Sequence, residues 1–406
     1  MAIISPFRAL RPQPEHAERL ASKPYDVLNS AEAREVAKDN EISFLHITKS
    51  EIDLPEDIDI HTDEVYAKAK ENLDKLISDG ILIREETPLY YIYQLIMDGR
   101  SQTGLVCTSA ISDYFNDKIK KHEFTRPEKE QDRINHIKTT RAQTGNVFLA
   151  YRDVAEMNTL IANWKKSNAP LYDFMADDGI HHTVWAVTNP GTVASITKIF
   201  AEKVPATYIA DGHHRAASAA KVSALLPESE EAKYFLTTIF PASELKILDY
   251  NRVVTDLNGL SNEEFISKLS KNFDIQKSAE AVRPSKLHEF GMYLDSQWYV
   301  LNAKDGSYAN DPIGVLDVTV LSNHILDAAL GIKDQRTDPR VDFVGGIRGL
   351  KELEKRVDSG SMKVAFSLYP VSIGQLFDIA DSGNVMPPKS TWFEPKLRDG
   401  LLTHLI

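Results

Sequence analysis

Apolar residues recur along this chain with both the helical and the strand period, and the two patterns alternate. Residues 65–77 carry apolar side chains every three or four positions, which predicts a helix with one buried face. Two apolar runs flank Asp98 and Gly99, a dipeptide typical of a tight β-hairpin turn. The same arrangement predicts a second hairpin over residues 292–301.

Shorter patterns extend this mixture of elements. Asn29 and Glu32 have the spacing of a capping box, which predicts a helix that runs through Lys38. Residues 317–330 have an amphipathic helical pattern, and residues 362–368 a strand pattern. Because hairpins and helices interleave without a regular βαβ rhythm, we expect the α+β class, with mixed sheets, hairpins and packed helices.

Domain boundaries are weakly marked in the sequence. Residues 256–262 are the best candidate joint, since a new helical pattern begins at Glu263. We therefore divide the chain into an N-terminal α/β region, residues 1–258, and a C-terminal α+β region, residues 259–406.

Composition and charge narrow the class of protein. The 406 residues include 42% hydrophobic and 26% charged residues, ordinary values for a globular protein. The net charge of −12 argues against nonspecific binding of nucleic acid. No apolar run reaches the roughly 18 residues of a membrane span, and the start lacks a secretory signal. Cys107 is the only cysteine, so no intrachain disulfide forms. We expect a cytoplasmic protein, with no nucleic-acid or membrane partner.

The most informative segment spans residues 206–226. Residues 206–210 form an apolar strand pattern, Gly212 permits a tight turn, and an alanine-rich helix follows. The first turn of a helix offers unpaired N–H groups and the positive end of the macrodipole, which favour an anion. The alternative is that Asp211 caps the helix while the histidines pair with buried carboxylates. The side chains on this first turn are those of His213, His214 and Arg215.

A second segment begins at His122. Thr125 and Glu128 have capping-box spacing, and the helix that follows should run through Thr140. His122 and Glu123 precede it as a candidate acid/base or metal-binding pair. The alternative is a solvated helix held by ion pairs at three- and four-residue spacing.

A third segment, residues 386–396, ends like a phosphate loop but lacks the glycines of a Walker motif. Pro387 and Pro388 stiffen it, which lowers the cost of ordering a site there. The alternative is a rigid strap that packs Trp392 and Phe393 into the core. Its polar candidates are Lys389, Ser390 and Thr391.

These segments together resemble the family known as domain of unknown function 1015. The resemblance covers nearly the whole chain. It rests on four motifs, namely residues 24–27, residues 122–133, residues 210–215 and residues 386–396.

Residues 212–215 also resemble, more distantly, the Gly-x-x-Arg signature of the ParB/sulfiredoxin-like fold. That resemblance implies a phosphate-binding core, in which this segment opens a helix that holds phosphates of a nucleotide or substrate. Relatives in that fold include free-serine kinases and nucleotide-binding partition proteins. Repair of sulfinic acids is not expected, because His213 or His214 occupies the region of sulfiredoxin's catalytic cysteine. The family resemblance further implies a phosphoserine-linked reaction.

We therefore expect phosphoryl transfer on a small phosphorylated or carboxylate metabolite, with phosphoserine phosphatase in serine biosynthesis as the leading hypothesis. The alternatives are a free-serine kinase that uses a nucleotide, and a non-catalytic sensor of nucleotides or phosphometabolites. Such catalysis depends on positioning and charge stabilisation. Glu123 or Asp211 would be the general base, or a histidine would accept the phosphoryl group covalently.

The full candidate site combines these segments. Mg²⁺ is the expected metal cofactor, because it prefers carboxylates and phosphate oxygens; a nucleotide is the other candidate cofactor. The predicted catalytic residues are Glu123, Asp211, His213, His214 and Arg215. The predicted substrate- or phosphate-binding residues are Tyr25, His122, Thr125, Arg126, Gly212, Lys389, Ser390 and Thr391. The predicted metal ligands are Asp26 and Asp132, with Glu123 and Asp211 as further candidates.

Overall fold

Contacts between residues separate two units in the computed structural model, which describes residues 1–387 and 389–406. The first unit comprises Met1–Leu245 together with Pro395–Ile406, and the second comprises Lys246–Glu394. The predicted boundary at residue 258 falls inside the second unit, because the preceding strand, Tyr250–Val254, pairs with strands that belong to that unit.

The first unit has the following elements, numbered along the chain. Its strands are β1 (Ile4–Ser5), β2 (Leu10–Pro12), β3 (Leu82–Arg84), β4 (Tyr90–Met97), β5 (Arg100–Ala110), β6 (Ile119–Lys120), β7 (Ala142–Gln143), β8 (Val147–Tyr151), β9 (Tyr172–Met175), β10 (His181–Val187), β11 (Thr207–Asp211), β12 (Tyr234–Pro241) and β21 (His404–Leu405). Its helices are α1 (Ala17–Leu20), α2 (Ser30–Ala37), α3 (Leu45–Thr48), α4 (Asp63–Ser78), α5 (Ile111–Phe115), α6 (Pro127–Thr140), α7 (Ala155–Ser167), α8 (Pro190–Lys203) and α9 (His213–Leu225).

The second unit is also mixed. Its strands are β13 (Ile247–Leu248), β14 (Tyr250–Val254), β15 (Phe273–Ser278), β16 (Glu289–Leu294), β17 (Gln297–Ala303), β18 (Val341–Gly345), β19 (Val364–Leu368) and β20 (Trp392–Phe393). Its helices are α10 (Asn262–Leu269), α11 (Asp317–Leu321), α12 (Leu350–Asp358) and α13 (Ile373–Asp381). The expected α+β class is confirmed in both units.

One large sheet organises the first unit, with strand order β6-β11-β8-β12-β5-β4-β10-β9 and β1 added beside β5. Strands β4 and β5 form the predicted hairpin, and Asp98 and Gly99 both have positive φ at its turn. The core of the unit packs side chains of this sheet against α7, α8 and α9, with Leu149, Phe200 and Ile209 fully buried.

The position of β6 beside β11 brings two predicted motifs together. These strands run parallel, with Thr207 opposite Ile119 and Tyr208 opposite Lys120. Because parallel strands end on the same side of the sheet, the residues that follow β6 lie close to the residues that follow β11. The sequence interval between them is long, but the sheet places His122 next to the start of α9.

The second unit has a six-stranded sheet of order β15-β17-β16-β19-β14-β18. The predicted hairpin over residues 292–301 is confirmed as β16 and β17, with positive φ at Asp295 and Ser296. The predicted helix over residues 317–330 is not continuous: α11 ends at Leu321, and π-helical turns continue through Asp327.

The structure confirms one predicted capping box and most of one predicted apolar face, and it contradicts a second capping box. The capping box of Asn29 and Glu32 forms at the start of α2. On α4 most of the predicted apolar face is buried, but Ile77 is exposed because it lies at the edge of that face. The capping box predicted for Thr125 is wrong: Arg126 occupies the N-cap without a side-chain bond, and the Thr125 hydroxyl donates to Glu130 instead. Within the described residues, no helix combines the length and apolar content that crossing a bilayer requires.

Candidate functional site

The start of α9 is the centre of the candidate site. Gly212 occupies the N-cap with φ 95° and ψ 32°, a left-handed conformation that favours glycine. A Cβ atom at this position would lie 3.1 Å from Nε of Arg215. No side chain caps the helix, so Asp211 does not have the capping role that the structural alternative gave it. The first N–H groups of α9 are therefore left for another acceptor.

The carboxylate of Asp211 is held by two cations. Its Oδ2 atom lies 3.3 Å from Nζ of Lys396 and 3.5 Å from the guanidinium of Arg215. Burial would raise the pKa of Asp211, but Lys396 and Arg215 together lower it well below its usual range. Asp211 is therefore ionised and engaged at neutral pH.

Arg215 is buried under a group of acidic side chains. Its guanidinium is 9% exposed and donates to the backbone carbonyl of Asn146. Burial would lower the pKa of Arg215, but the carboxylates of Asp26, Asp211 and Asp399 raise it. The sequence predicts that Arg215 holds the transferring phosphoryl group. In the structure, the Arg215 guanidinium contacts Asn146 and Asp211 behind the helix start, and its role in holding a phosphoryl group stays a prediction.

His122 and His213 form an edge-to-face pair beside this helix start. Their ring centroids are 4.5 Å apart, and the backbone N–H of His122 donates to Nε2 of His213 over 3.4 Å. Burial lowers the pKa of His122 to about 4 and lowers the pKa of His213 well below its ordinary value. Both rings are thus neutral at pH 7. Within the described part of the chain, Nδ1 of buried His122 has no hydrogen-bond partner.

Two further predicted residues lie at the same place. The carboxylate of Glu123 is 3.8 Å from Nδ1 of His213, and its side chain is 42% exposed. Nε2 of His214 accepts a hydrogen bond of 3.0 Å from the backbone N–H of Arg126. The structure therefore brings together the first two sequence segments, which carry Gly212 and His122.

Cations surround the first turn of α9. Each is close enough to affect the pKa of a residue at the helix start, although the sequence interpretation selected only one of them. They are Lys121 near His213, Arg126 and Lys129 near His214, and Lys396 near Asp211. Together with the helix dipole, they make this corner favourable for an anion.

Asp399 is a buried carboxyl that sequence reasoning missed. It is 1% exposed, and among the described residues neither carboxyl oxygen has a hydrogen-bond partner. Burial raises the pKa of Asp399 to about 7, against the opposing effect of Arg215. A cavity of about 30 Å³ adjoins Asp399, Arg215, Tyr25 and Arg133. This volume suits one or two water molecules and is too small for a metabolite.

The predicted metal ligands lie apart from any ligand cluster. Asp132 accepts from the Tyr66 hydroxyl over 3.0 Å and lies 2.7 Å from Arg133. Tyr25 stacks on Arg133, with 4.1 Å from the guanidinium carbon to the ring centroid, and burial raises its pKa to about 12. Across the residues described, no three His, Cys, Asp or Glu side chains form a metal-binding group. Binding of Mg²⁺ by Asp26 and Asp132 stays a prediction.

Most of the third predicted segment, up to Glu394, belongs to the second unit, whereas Pro395 and Lys396 belong to the first. The Ser390 hydroxyl donates to the carbonyl of Pro387 over 2.6 Å, and Nζ of Lys389 lies 5.8 Å from the ring centroid of Tyr250. Phe393 is buried, and β20 pairs with β13. These contacts fit the packing strap. A phosphate-binding role for Lys389, Ser390 and Thr391 stays a prediction, and Pro388 lies outside the described residues.

A family model described as "Protein of unknown function (DUF1015)" matches residues 4–319. The chain belongs to the DUF1015 family. The matched range includes the strand-turn-helix at residues 207–225 and the loop at His122, whereas residues 386–396 lie beyond it. No curated protein matches the chain.

Similar solved structures include three proteins of low sequence identity. A free serine kinase in complex with AMP is 13% identical, with a TM-score of 0.37; the match covers 74% of this chain and 91% of that one. A conserved hypothetical protein from Pyrococcus furiosus is 13% identical, with a TM-score of 0.36 and coverages of 74% and 94%. C-terminally truncated SbnI from Staphylococcus aureus is 12% identical, with a TM-score of 0.34 and coverages of 74% and 87%.

Proposed function

We propose that the chain is a phosphotransferase that moves a phosphoryl group between a nucleotide and the hydroxyl of a small metabolite such as free serine. The observation that carries this proposal is the uncapped start of α9, where free N–H groups, a surrounding set of cations and a carboxylate meet. Phosphoryl transfer needs little covalent chemistry from the protein, and it depends on positioning and on charge stabilisation.

The binding roles follow from the geometry of this corner. The N–H groups of His213, His214 and Arg215 would hold phosphate oxygens, since helix starts favour anions. The neutral ring of His213 would donate or accept a hydrogen bond without adding a charge. Arg215 would position Asp211, and Asp211 in turn would hold Lys396 near the phosphoryl group, as their separations of 3.5 Å and 3.3 Å permit.

Glu123 is the best candidate for the general base. Its carboxylate is exposed enough to meet a substrate and lies 3.8 Å from His213. A carboxylate within reach of a substrate hydroxyl removes its proton as the oxygen attacks phosphorus. Asp211 is a poorer base, because Lys396 and Arg215 lower its pKa and stabilise its ionised form.

The acceptor in this proposal is serine and not water. The leading sequence hypothesis, hydrolysis of phosphoserine, receives no support from the comparisons. The nucleotide-using alternative agrees with the names of the solved structures, which are a free serine kinase with AMP or ADP. The proposal depends on the geometry of the corner at α9.

The test is a pair of incubations with the purified chain. One contains labelled ATP, Mg²⁺ and L-serine; the other contains O-phosphoserine and Mg²⁺ alone. Labelled phosphoserine with stoichiometric ADP in the first incubation supports the proposal. Free phosphate and serine in the second would favour the phosphatase instead. Nucleotide binding without any product would overturn the catalytic proposal and favour a sensor.

A further inference from the structure

The loop between β6 and α6 carries the proposed base in its exposed part. Residues 121–126 form this loop, in which Glu123 is 42% exposed and Phe124 is 71% exposed. An exposed phenyl ring gains little from burial of apolar surface, so the middle of the loop depends on hydrogen bonds for its position. That position decides where the carboxylate of Glu123 lies relative to the start of α9.

Two backbone N–H groups tie the ends of this loop to α9. The N–H of His122 donates to Nε2 of His213 over 3.4 Å, at one end of the loop. The N–H of Arg126 donates to Nε2 of His214 over 3.0 Å, at the other end. Both acceptors lie on the first turn of α9, and Glu123 lies between the two anchored residues.

A third anchor comes from a buried carboxylate outside the proposed mechanism. Glu130 on α6 is 6% exposed, and its Oε1 atom accepts a hydrogen bond from the hydroxyl of Thr125. Its Oε2 atom accepts from Nζ of Lys221 on α9. Burial would raise the pKa of Glu130, but the bonds from Lys221 and Thr125 lower it. The carboxylate is therefore ionised, and it connects the loop to α9.

One face of α9 carries these contacts. His214, Ser218 and Lys221 follow one another at spacings of four and three residues, so their side chains lie on the same side of the helix. The Ser218 hydroxyl donates to the backbone carbonyl of Glu130 over 3.1 Å and holds α6 against α9. Lys221 reaches the loop through Glu130 and Thr125. The face thus links the start of α9 to the loop that carries the base.

We propose that Glu130 is a positioning residue for phosphoryl transfer, which acts on Glu123 through Thr125. Its buried carboxylate fixes the distance between the base and the anion site at α9. This inference rests on the proposed function, because it takes Glu123 as the general base. It also gives the Thr125 hydroxyl the role of a loop anchor, in place of the phosphate contact predicted from the sequence.

The test removes this anchor from either side. Thr125→Val keeps the size of the side chain but has no hydroxyl, and Glu130→Gln keeps the shape but loses the charge. In both variants kcat for transfer from ATP to L-serine should fall about ten- to a hundredfold, because a misplacement of about 1 Å has an effect of that size. ATP affinity should stay within about a factor of three, since the N–H groups of α9 are unchanged. Thr125→Ser restores the hydroxyl and should recover kcat.

Two further readouts separate positioning from a purely structural role. Because Thr125 and Glu130 act as one unit, the double variant Thr125→Val, Glu130→Gln should lose no more kcat than the larger single loss. Amide hydrogen exchange of residues 122–126 measures the anchoring without turnover and should be about tenfold faster in both single variants. A purely structural role would lower the free energy of unfolding without changing kcat of the folded protein or exchange in this loop.

Ser218→Ala is the matched control, because Ser218 bonds to the backbone of Glu130 and not to its carboxylate. It should keep the wild-type kcat and the wild-type exchange in the loop. Unchanged kcat in folded Thr125→Val and Glu130→Gln, or unchanged exchange of residues 122–126, would overturn the inference. A wild-type chain without turnover would instead overturn the proposed function, and the exchange data would still decide whether Glu130 anchors the loop.

Discussion

Nε2 of His213 lies 3.4 Å from the backbone nitrogen of His122, and the two imidazole rings meet edge to face. An imidazole that accepts from a backbone N–H has a free lone pair at that nitrogen and is unprotonated there. Burial of both rings opposes protonation, and each would repel a charge on the other. The pair therefore contributes hydrogen-bonding groups to the helix start without adding positive charge.

This arrangement predicts a defined pH dependence of stability. The pKa of His122 is about 4 in the folded chain, against an ordinary histidine value of 6.5. Between these values the unfolded chain binds the proton more tightly, so the free energy of unfolding falls as the pH drops from 6.5 to 4. The loss from His122 is about 3 kcal/mol at pH 4, and none above pH 6.5. His122→Gln should remove that part of the slope in urea titrations at several pH values.

His61→Gln is the control for this experiment, because the side chain of His61 is 60% exposed. Its slope should match that of the wild type. Other buried histidines add to the wild-type slope, so the comparison is between variants at each pH. Identical slopes for His122→Gln and the wild type would contradict the neutral pair.

The left-handed conformation of Gly212 predicts a second effect. Gly212→Ala should lower the free energy of unfolding by about 1–2 kcal/mol from the backbone alone, and more because the new Cβ would lie 3.1 Å from Arg215. It should also weaken nucleotide or phosphate binding at least tenfold. Thermal unfolding and titration calorimetry measure the two effects.

Gly179→Ala separates the two contributions. Gly179 also has positive φ, at 77°, but nothing lies within 4 Å of the position of its missing Cβ. It should therefore show the backbone cost without the displacement of Arg215 and without loss of ligand. Equal stabilities and affinities in the two variants would refute a special role for Gly212.

Local patterns in the sequence predicted the elements of the site better than its contacts. At residues 207–225 the apolar run predicts the strand, Gly212 the turn and the alanine-rich stretch the helix. The structure has these elements within a residue or two of the predicted bounds. The Thr125 capping box failed because its hydroxyl found Glu130 instead. In a cap the hydroxyl oxygen accepts from a backbone N–H, but here the Thr125 side chain is oriented by its own hydrogen bond to Glu130, which only the folded structure supplies.

Long-range neighbours were beyond reach of those patterns. Asp399 and Lys396 are distant in sequence from residues 211–215, and only the return of the chain end to the first unit brings them there. Lys396 is the last residue of the 386–396 motif, so there was some reason in the sequence to consider its charge. Asp399 lies in no motif, and nothing in the sequence marks it. The proximity of Asp26, Asp211 and Asp399 to Arg215 likewise appears only after folding.

Asp399 predicts a pH effect of opposite sign. Its pKa is about 7 in the folded chain, against an ordinary aspartate value of 3.8, so the folded state binds this proton more tightly. Stability from Asp399 is complete below pH 3.8 and is lost as the pH rises to 7. Asp399→Asn does not ionise, so its stability relative to wild type should improve by up to about 4 kcal/mol between pH 4 and pH 8.

Denaturant titrations at four or more pH values between 4 and 8 measure this difference. Asp177→Asn is the control, because the side chain of Asp177 is 78% exposed. It should follow the wild-type curve throughout. Parallel curves for Asp399→Asn and the wild type would mean that Asp399 does not hold its proton in the folded state.

The last prediction concerns Glu123, whose carboxylate lies 3.8 Å from His213 beside the uncapped helix. Glu123→Gln keeps the size of the side chain but removes the basic group. If Glu123 takes the proton of the attacking hydroxyl, turnover should fall about 10²- to 10⁴-fold while nucleotide affinity stays within a factor of three. Glu128→Gln, at the second residue of α6 and also exposed, should keep full turnover. Because general-base catalysis acts on the chemical step, the loss should appear in kcat with little change in KM. A normal kcat in Glu123→Gln would show that Glu123 is not the general base.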